Sequence, residues 1–166
     1  MTMLDTLEGI LDQTHTPYTH TKHRAAYTAR EVAQADHIPA HRVAKTVVVH
    51  DRNGYGLAVV PGNAYVDLSQ LRALLGSSQL RLATETEIAR LFPDCEVGAM
   101  PPFGNLRGLP VYADRSLAAE ETIVFSAGTH EDDIQMRFED FRRLVNPTLL
   151  SFAWEKGDRG MRLYDW

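Results

Sequence analysis

The feature that most constrains the fold of this chain is a dense run of β-branched residues followed by a turn signal. Residues 43–50 read VAKTVVVH and contain four valines, a density that favours a strand. The turn sequence DRNG follows at 51–54, and the apolar pattern resumes as GLAVV at 56–60 before Pro61 and Gly62 end it. We therefore predict an antiparallel hairpin, which requires a sheet with antiparallel neighbours.

Helix signals are interspersed with further strand signals. Thr28 with Glu31, and Thr84 with Glu87, have the spacing of capping boxes, in which each end of the motif caps the other. Patterning predicts helices at residues 1–13, 28–35, 67–76, 84–93 and 139–145, and short strands at 18–23, 111–113, 122–125 and 133–137. This interspersion predicts an α+β fold: one domain over residues 1–152, with helices around a central mixed, largely antiparallel sheet. Residues 153–166 form a tail with both tryptophans that the pattern does not assign.

Composition excludes several classes of protein. With 44% hydrophobic and 23% charged residues in 166, the chain is neither collagen-like nor disordered. Its single cysteine, Cys95, allows no intrachain disulfide, and the net charge of −5 disfavours a globally basic nucleic-acid binder. No apolar run is long enough for a membrane span, and the N-terminus lacks the pattern of a secretory signal. We expect a cytoplasmic protein.

Lys45 is the first candidate site residue, because it interrupts the apolar strand. Strand alternation puts it on one face with Val47 and Val49, and puts Thr46 on the other. A lysine there loses hydration unless it is paired or opens into a cleft. The alternatives are a functional cation and an edge-strand lysine that reaches solvent.

A rigid loop and a histidine are the other two candidates. Residues 98–104 read GAMPPFG, and backbone N–H groups in such a proline- and glycine-rich loop are suited to binding a carbonyl oxygen or an oxyanion. His130 follows a predicted strand, where site residues are common. The alternatives are a simple connector and a solvated turn histidine.

Other chemistries are disfavoured. Pro39 separates His37 from His41 at their i, i+4 spacing, and no ligand pattern accompanies the other histidines, so we expect no metal and no cofactor. Asp94 and Glu96 flank Cys95 and are expected to raise its pKa, which disfavours a thiolate nucleophile.

Four segments, taken in order, resemble the YbaK / prolyl-tRNA-synthetase-associated domain family of free-standing trans-editing aminoacyl-tRNA deacylases. Residues 44–47 (AKTV) resemble the family's lysine strand, 98–102 (GAMPP) its G-x-x-x-P loop and 128–130 (GTH) its Gly-x-His element. Residues 26–33 (AYTAREVA) resemble the helix before the lysine strand. The resemblance runs from about residue 4 to residue 152 and leaves the tail outside.

The resemblance implies hydrolysis of the ester that joins a mischarged small amino acid to tRNA, with tRNA(Pro) expected. It implies catalytic roles for Lys45, Gly98 and His130. Loop N–H groups would hold the developing negative charge, Lys45 would bind the phosphate or ribose end of the terminal adenosine or stabilise that charge, and His130 would shape the pocket or orient a water. The implied substrate-binding residues are Thr46, Ala99, Met100, Pro101, Pro102, Gly128 and Thr129.

The implied partners are the aminoacyl-tRNA 3′ end and acceptor stem, with prolyl-tRNA synthetase as a further candidate and no membrane. Contacts limited to the 3′ end need few phosphate-binding residues, so a small basic patch suffices despite the acidic net charge. Its candidates, which are equally consistent with a solvated surface, are Lys22, Arg24, Arg42, Arg142 and Arg143. We expect a monomer. A module of the same fold that binds aminoacyl-tRNA or a nucleotide ligand without hydrolysis is the alternative function, and an interaction domain using the tail is a third.

Overall fold

The computed structural model describes residues 1–155, whose helices and strands follow the predicted order. They are α1 (Met3–Gln13), β1 (Tyr18–Lys22), α2 (Ala29–Asp36), β2 (Ala44–Asp51), β3 (Gly54–Pro61), β4 (Ala64–Val66), α3 (Leu68–Leu75), β5 (Arg81–Leu82), α4 (Glu85–Leu91), β6 (Val111–Asp114), β7 (Thr122–Ser126), β8 (Asp132–Arg137), α5 (Phe138–Val145), β9 (Thr148–Leu150) and β10 (Ala153–Glu155). No helix in this part of the chain is both long and apolar enough to cross a membrane.

The predicted hairpin forms the centre of a five-stranded sheet. β2 and β3 pair antiparallel along their whole length, and the Asn53 N–H donates to the Asp51 carboxylate at 2.8 Å within the turn. The strand order is β5-β2-β3-β6-β9, with β6 parallel to both of its neighbours. A three-stranded antiparallel sheet, β1-β8-β7, joins this sheet through a bridge between Val43 and Val124. The predicted α+β class with a mixed sheet is confirmed.

Both faces of β2 are covered, which explains its continuous apolar sequence. Ala44 and Val48 belong to the main core, whose large side chains include Phe92, Phe103, Phe125, Phe138 and Phe141. Val47 and Val49 belong to a second core, which lies against α3 and Phe152. Because residues 44–49 are buried, a polar side chain among them must be accommodated in the interior or in a pocket.

The two capping motifs fold differently. At α4 both hydrogen bonds of the predicted box form, from the Glu87 N–H to the Thr84 hydroxyl at 3.1 Å and from the Thr84 N–H to the Glu87 carboxylate at 2.8 Å. At α2 the Thr28 hydroxyl caps the Glu31 N–H at 3.1 Å, but the Glu31 carboxylate accepts from the Thr28 hydroxyl at 3.3 Å instead of from its N–H. Only half of that box forms, and it still starts the helix where the sequence predicts.

The sequence patterns did not predict four short strands. These are β4, β5, β9 and β10, with two or three residues each. β10 pairs antiparallel with β4, and the Trp154 ring centroid lies 6.1 Å from that of Tyr65. The first residues of the predicted tail therefore pack on the domain, whereas Trp166 lies outside the described residues. The division into residues 1–152 and 153–166 stays a prediction.

Candidate functional site

A pocket opens between β2 and the start of α2, with a volume of about 370 Å³ including its open mouth. It brings together five of the predicted site residues, which are Lys45, Thr46, Gly98, Met100 and His130. The remaining lining comes from the β1–α2 segment, α2, β2 and β7: Ala26, Tyr27, Thr28, Ala29, Val32, Val43, Ala44 and Ser126. Four segments of the chain, within residues 26–32, 43–46, 98–100 and 126–130, thus converge on one cavity.

The other five predicted substrate-binding residues do not line the pocket. Ala99, Pro101 and Pro102 are buried behind it. Gly128 and Thr129 shape the turn that carries His130, since the Gly128 N–H donates to the Ala99 carbonyl at 2.9 Å and the Thr129 hydroxyl donates to Asp132 at 2.7 Å. The substrate-binding roles implied for these five residues stay predictions.

Lys45 is buried, with 6% of its surface exposed. Its Nζ lies 5.2 Å from the centroid of the Tyr65 ring, a cation–π distance. In the ladder it stands opposite Val60 of β3. The alternative of an edge-strand lysine that reaches solvent is therefore wrong, because the side chain is enclosed beside the pocket.

Thr46 lines the same cavity, and its hydroxyl oxygen is buried. It is 6% exposed, and its Oγ1 makes no hydrogen bond with any residue of 1–155. Leaving a hydroxyl buried without a partner costs about 1–3 kcal/mol. A group kept at this cost beside an open pocket is suited to hydrogen-bonding a ligand.

The loop at 98–102 uses its N–H groups differently from the prediction. The N–H of Gly98 donates to the Met100 sulfur at 3.2 Å, and that of Ala99 donates to the Glu96 carbonyl at 3.0 Å. The prolines have no N–H, so Met100 carries the remaining donor of the loop, which makes no hydrogen bond within residues 1–155. Of the N–H groups of this loop, that of Met100 is therefore the one without a hydrogen bond in the described part of the chain, and the donor role implied for the loop stays a prediction.

His130 is held against this loop from two sides. Its backbone N–H donates to the Glu96 carboxylate at 2.7 Å, and its ring Nε2 lies 2.9 Å from the Val97 carbonyl oxygen. A carbonyl only accepts, so Nε2 carries a proton and Nδ1 is the lone-pair nitrogen of the neutral ring. A Cβ at Gly98, whose φ is +90°, would lie 3.4 Å from His130 Cε1. The positive φ is therefore what favours glycine here, since a Cβ would only come into ordinary van der Waals contact with the imidazole.

The sequence analysis missed the wall formed by the β1–α2 segment. Tyr27 is 64% exposed, and its ring centroid lies 4.7 Å from that of His130. The Ala26 N–H donates to the His130 carbonyl at 2.8 Å, which ties the segment to the histidine turn. The resemblance at residues 26–33 was the available signal, but nothing local in it points to a pocket.

A buried charge cluster anchors this wall. His23 Nε2 lies 2.5 Å from Asp133 Oδ2 on β8, and its Nδ1 hydrogen-bonds the Arg24 carbonyl. Burial and the neighbouring Asp36 carboxylate raise the pKa of Asp133 to about 8. Burial opposes charging of His23, but the Arg24 carbonyl and Asp133 outweigh it and raise the His23 pKa. The Arg24 carbonyl can only accept, so His23 Nδ1 carries a proton.

Within residues 1–155, the side chains of His23, Asp36 and Asp133 have potential metal-binding atoms that all lie within 4.8 Å of one another. This is near enough for the three to share a metal ion. Two atoms bound to one zinc ion lie about 3.3 Å apart, as its bond lengths and tetrahedral angles require. The 2.5 Å separation between His23 and Asp133 is instead a hydrogen-bond distance. The geometry therefore favours a hydrogen bond between these side chains over a shared zinc ion.

Cys95 is not suited to nucleophilic chemistry. Burial, followed by the charge of Asp94, raises the pKa of its thiol to about 12. The predicted effect of the flanking acidic residues is therefore confirmed for Asp94, and the thiol stays protonated near neutral pH.

The predicted basic patch is only partly available. Arg142 and Arg143 lie 4.0 Å and 3.1 Å from Glu139 and Asp140 on their own helix. Such i, i+3 pairs are typical of a solvated helix face. Lys22, Arg24 and Arg42 are exposed.

The chain is similar to proteins that act in tRNA charging and editing. It is 32% identical over 101 residues to the multifunctional Ser/Thr-tRNA deacylase ProXp-y of Escherichia coli K12, covering 60% of each chain. It is 38% identical over 100 residues to the proline–tRNA ligase of Xanthomonas oryzae pv. oryzae strain MAFF 311018, covering 60% of this chain and 18% of the ligase. The chain thus spans less than two thirds of either relative.

The fold has matches among solved structures. The crystal structure of a proposed trans-editing enzyme for prolyl-tRNA synthetase superposes with a TM-score of 0.79, at 24% identity, over 93% of this chain and 98% of that one. Its likeness establishes the shared fold.

The family is established by the sequence as a whole. The model of the aminoacyl-tRNA editing domain matches residues 23–144, a stretch that begins at the anchored His23 and contains every pocket-lining residue described above. The match covers well over half of the chain and confirms the resemblance drawn from the four short segments. The chain therefore belongs to the aminoacyl-tRNA editing domain family.

Proposed function

We propose that this protein is an aminoacyl-tRNA deacylase that hydrolyses the ester of a mischarged small amino acid. The observation that carries the proposal is the unpartnered, buried hydroxyl of Thr46 in a pocket also lined by Lys45, Gly98 and His130. The editing-domain match and the similarity to a Ser/Thr-tRNA deacylase support the same activity.

The pocket suits ester hydrolysis without a protein nucleophile. An aminoacyl ester is already activated, so the barrier falls when its carbonyl is polarised and a water is oriented. The Met100 N–H would donate to the developing oxyanion, and Nδ1 of His130, whose Nε2 donates to the Val97 carbonyl, would orient the water. The raised pKa of Cys95 argues against a thioester route.

Lys45 and Thr46 are suited to binding the two parts of the substrate that flank its ester carbonyl, the terminal nucleotide and the amino acid. Lys45 supplies a positive charge that suits the phosphate or ribose of the terminal nucleotide. The hydroxyl of Thr46 suits the α-amino group or a polar side chain of the amino acid. Such a pocket removes analogues that a synthetase cannot exclude by binding alone.

The tRNA is expected to be tRNA(Pro), because relatives that match include proline–tRNA ligases and the fold recurs in a proposed trans-editing enzyme for prolyl-tRNA synthetase. Contacts with the 3′ end and the acceptor stem would draw on exposed Lys22, Arg24 and Arg42. A transient association with prolyl-tRNA synthetase is consistent with the acidic net charge of −5, which limits independent tRNA affinity. An enzyme that clears mischarged tRNA acts where translation occurs, in the cytoplasm.

A deacylation panel tests the proposal. Purified protein is incubated with tRNA(Pro) charged with alanine, serine, threonine or cysteine, and with prolyl-tRNA as the correct product. Turnover of at least one mischarged tRNA and sparing of prolyl-tRNA is the expected result. Binding without turnover would overturn it in favour of a non-hydrolytic module. His130→Asn is expected to abolish turnover, whereas His37→Asn, a matched change at a left-handed residue outside the pocket, is not.

A further inference from the structure

Tyr27 is the feature of the site that the proposed chemistry leaves unused. Among residues 1–155, four large apolar side chains are exposed: Met1, Tyr27, Leu74 and Val97. Two of these four, Tyr27 and Val97, flank His130: the Tyr27 ring packs against its imidazole, and the Val97 carbonyl bonds its Nε2. Isolated exposed apolar residues are ordinary, so the distinguishing property of Tyr27 is that its exposed side chain also lines the pocket.

The Tyr27 ring is held in place by its surroundings. One side meets the His130 ring, with centroids 4.7 Å apart and planes inclined by 44°. The adjacent Ala26 N–H donates to the His130 carbonyl, and the hydroxyl of Thr28 caps α2. Farther back, the His23–Asp133 contact fixes the start of the segment. A ring supported on one side, 64% exposed and fixed at its base is suited to stacking with a flat partner.

The proposed substrate supplies such a partner. The ester to be cleaved and the terminal adenine are attached to the same ribose. When the amino acid enters the pocket, the base is left at its mouth, next to the rim that carries Tyr27. Exposed Arg24 and Arg30, three residues to either side of Tyr27, suit the phosphates that lead to this nucleotide. Stacking on aromatic side chains is the usual way in which proteins hold unpaired bases.

We propose that Tyr27 is the platform on which the terminal adenine of the aminoacyl-tRNA stacks, so that it binds the nucleotide while the pocket binds the amino acid. This inference rests on the proposed deacylase function. Tyr27 acts in it as a substrate-binding residue for the base, separate from the polarisation of the ester.

Two small esters isolate this contact. One is the 3′-aminoacyl ester of adenosine, and the other is the same aminoacyl ester of a ribose that lacks the base. The kcat/KM of each is measured for wild type, Tyr27→Phe and Tyr27→Leu. Leu74→Ala, which removes an exposed apolar side chain outside the pocket lining, is the control.

Wild type is expected to prefer the adenosine ester by at least about tenfold, which corresponds to about 1.4 kcal/mol, within the range for stacking of one base. Tyr27→Leu loses this preference through a higher KM, while its turnover of the ribose ester stays unchanged. Tyr27→Phe and Leu74→Ala retain the preference. An equal loss on both esters would show that Tyr27 acts through His130, and an unchanged preference would show that it does not bind the base; either result overturns the inference. If wild type cleaves neither these esters nor any mischarged tRNA, the proposed function itself is wrong.

Discussion

Replacing Gly98 by valine is expected to remove activity while leaving the domain folded. Gly98 has a φ of +90°, a conformation that side chains with a Cβ rarely adopt, and strain of this kind costs about 1–3 kcal/mol. Its Cβ would lie 3.4 Å from His130 Cε1, and the two methyl groups of valine would extend from that point. They crowd the imidazole or the mouth of the pocket, so that His130 and the loop cannot keep their present spacing.

The size of the activity loss follows from what the loop holds. Displacing it moves the Met100 N–H and the His130 ring together. Losing one oxyanion donor alone costs about 10²–10³-fold in rate. We therefore expect kcat/KM for deacylation to fall at least about hundredfold in Gly98→Val. The strain lowers the melting temperature by about 2–4 °C for each kcal/mol lost in a domain of this size.

Gly108→Val separates strain from crowding. Gly108 has a φ of +67°, and a Cβ there meets no atom within 4 Å. A valine at this position carries a similar backbone penalty but lies outside the pocket. The Gly108→Val variant should therefore lose about as much stability as Gly98→Val and should keep its activity. Thermal unfolding and deacylation kinetics of both variants measure the two effects. Near-normal turnover in folded Gly98→Val, or an equal loss in Gly108→Val, would refute the reasoning.

Four further outcomes are expected. Lys45→Ala should lower kcat/KM at least about tenfold, a loss of about 1.4 kcal/mol of transition-state stabilisation, with circular dichroism unchanged; a folded variant with normal kinetics removes Lys45 from the site. Thr46→Val should lower activity while raising the unfolding free energy by up to about 1–3 kcal/mol, because it removes an unpartnered buried hydroxyl; chemical denaturation that shows destabilisation contradicts this. Exhaustive chelation should leave deacylation intact, and loss with recovery on adding zinc overturns the metal-free mechanism. Folding raises the pKa of Asp133 to about 8 and also raises the pKa of His23, so the unfolding free energy should decline as pH rises from about 4 through 8. Asp133→Asn should flatten this decline, and a variant that keeps the wild-type pH dependence of denaturation would rule out the assignment to Asp133.

Local patterns determined much of the fold. The hairpin at 43–60 was predictable because a strand of β-branched residues and a two-residue turn are both short-range features. The capping box at Thr84 was predictable for the same reason, since its two hydrogen bonds join residues three apart. Where a pattern leaves a choice, the surroundings decide: at Thr28 the glutamate bonds the hydroxyl instead of the N–H.

The short strands show where local patterns stop. β4 and β9 have three residues each and carry little periodicity. They are strands because neighbours distant in sequence supply their hydrogen bonds, as β6 does for β9. Two or three residues of intrinsic preference are too weak to predict such pairings.

For the site, the sequence by itself determined which kinds of residue matter and in which order they occur: a lysine in an apolar strand, a glycine- and proline-rich loop and a histidine after a strand. Only the tertiary structure decided how they work. Packing on both faces of β2 buried Lys45 and Thr46, and the loop pairs the Gly98 N–H with the Met100 sulfur, which leaves the Met100 N–H without a hydrogen bond among the described residues. The tertiary structure also brought Tyr27 to the pocket, where it packs against His130, a residue 103 positions away in the sequence. The physical reason is that burial and hydrogen-bond partners depend on which distant segments meet, and no pattern within a single segment records those meetings.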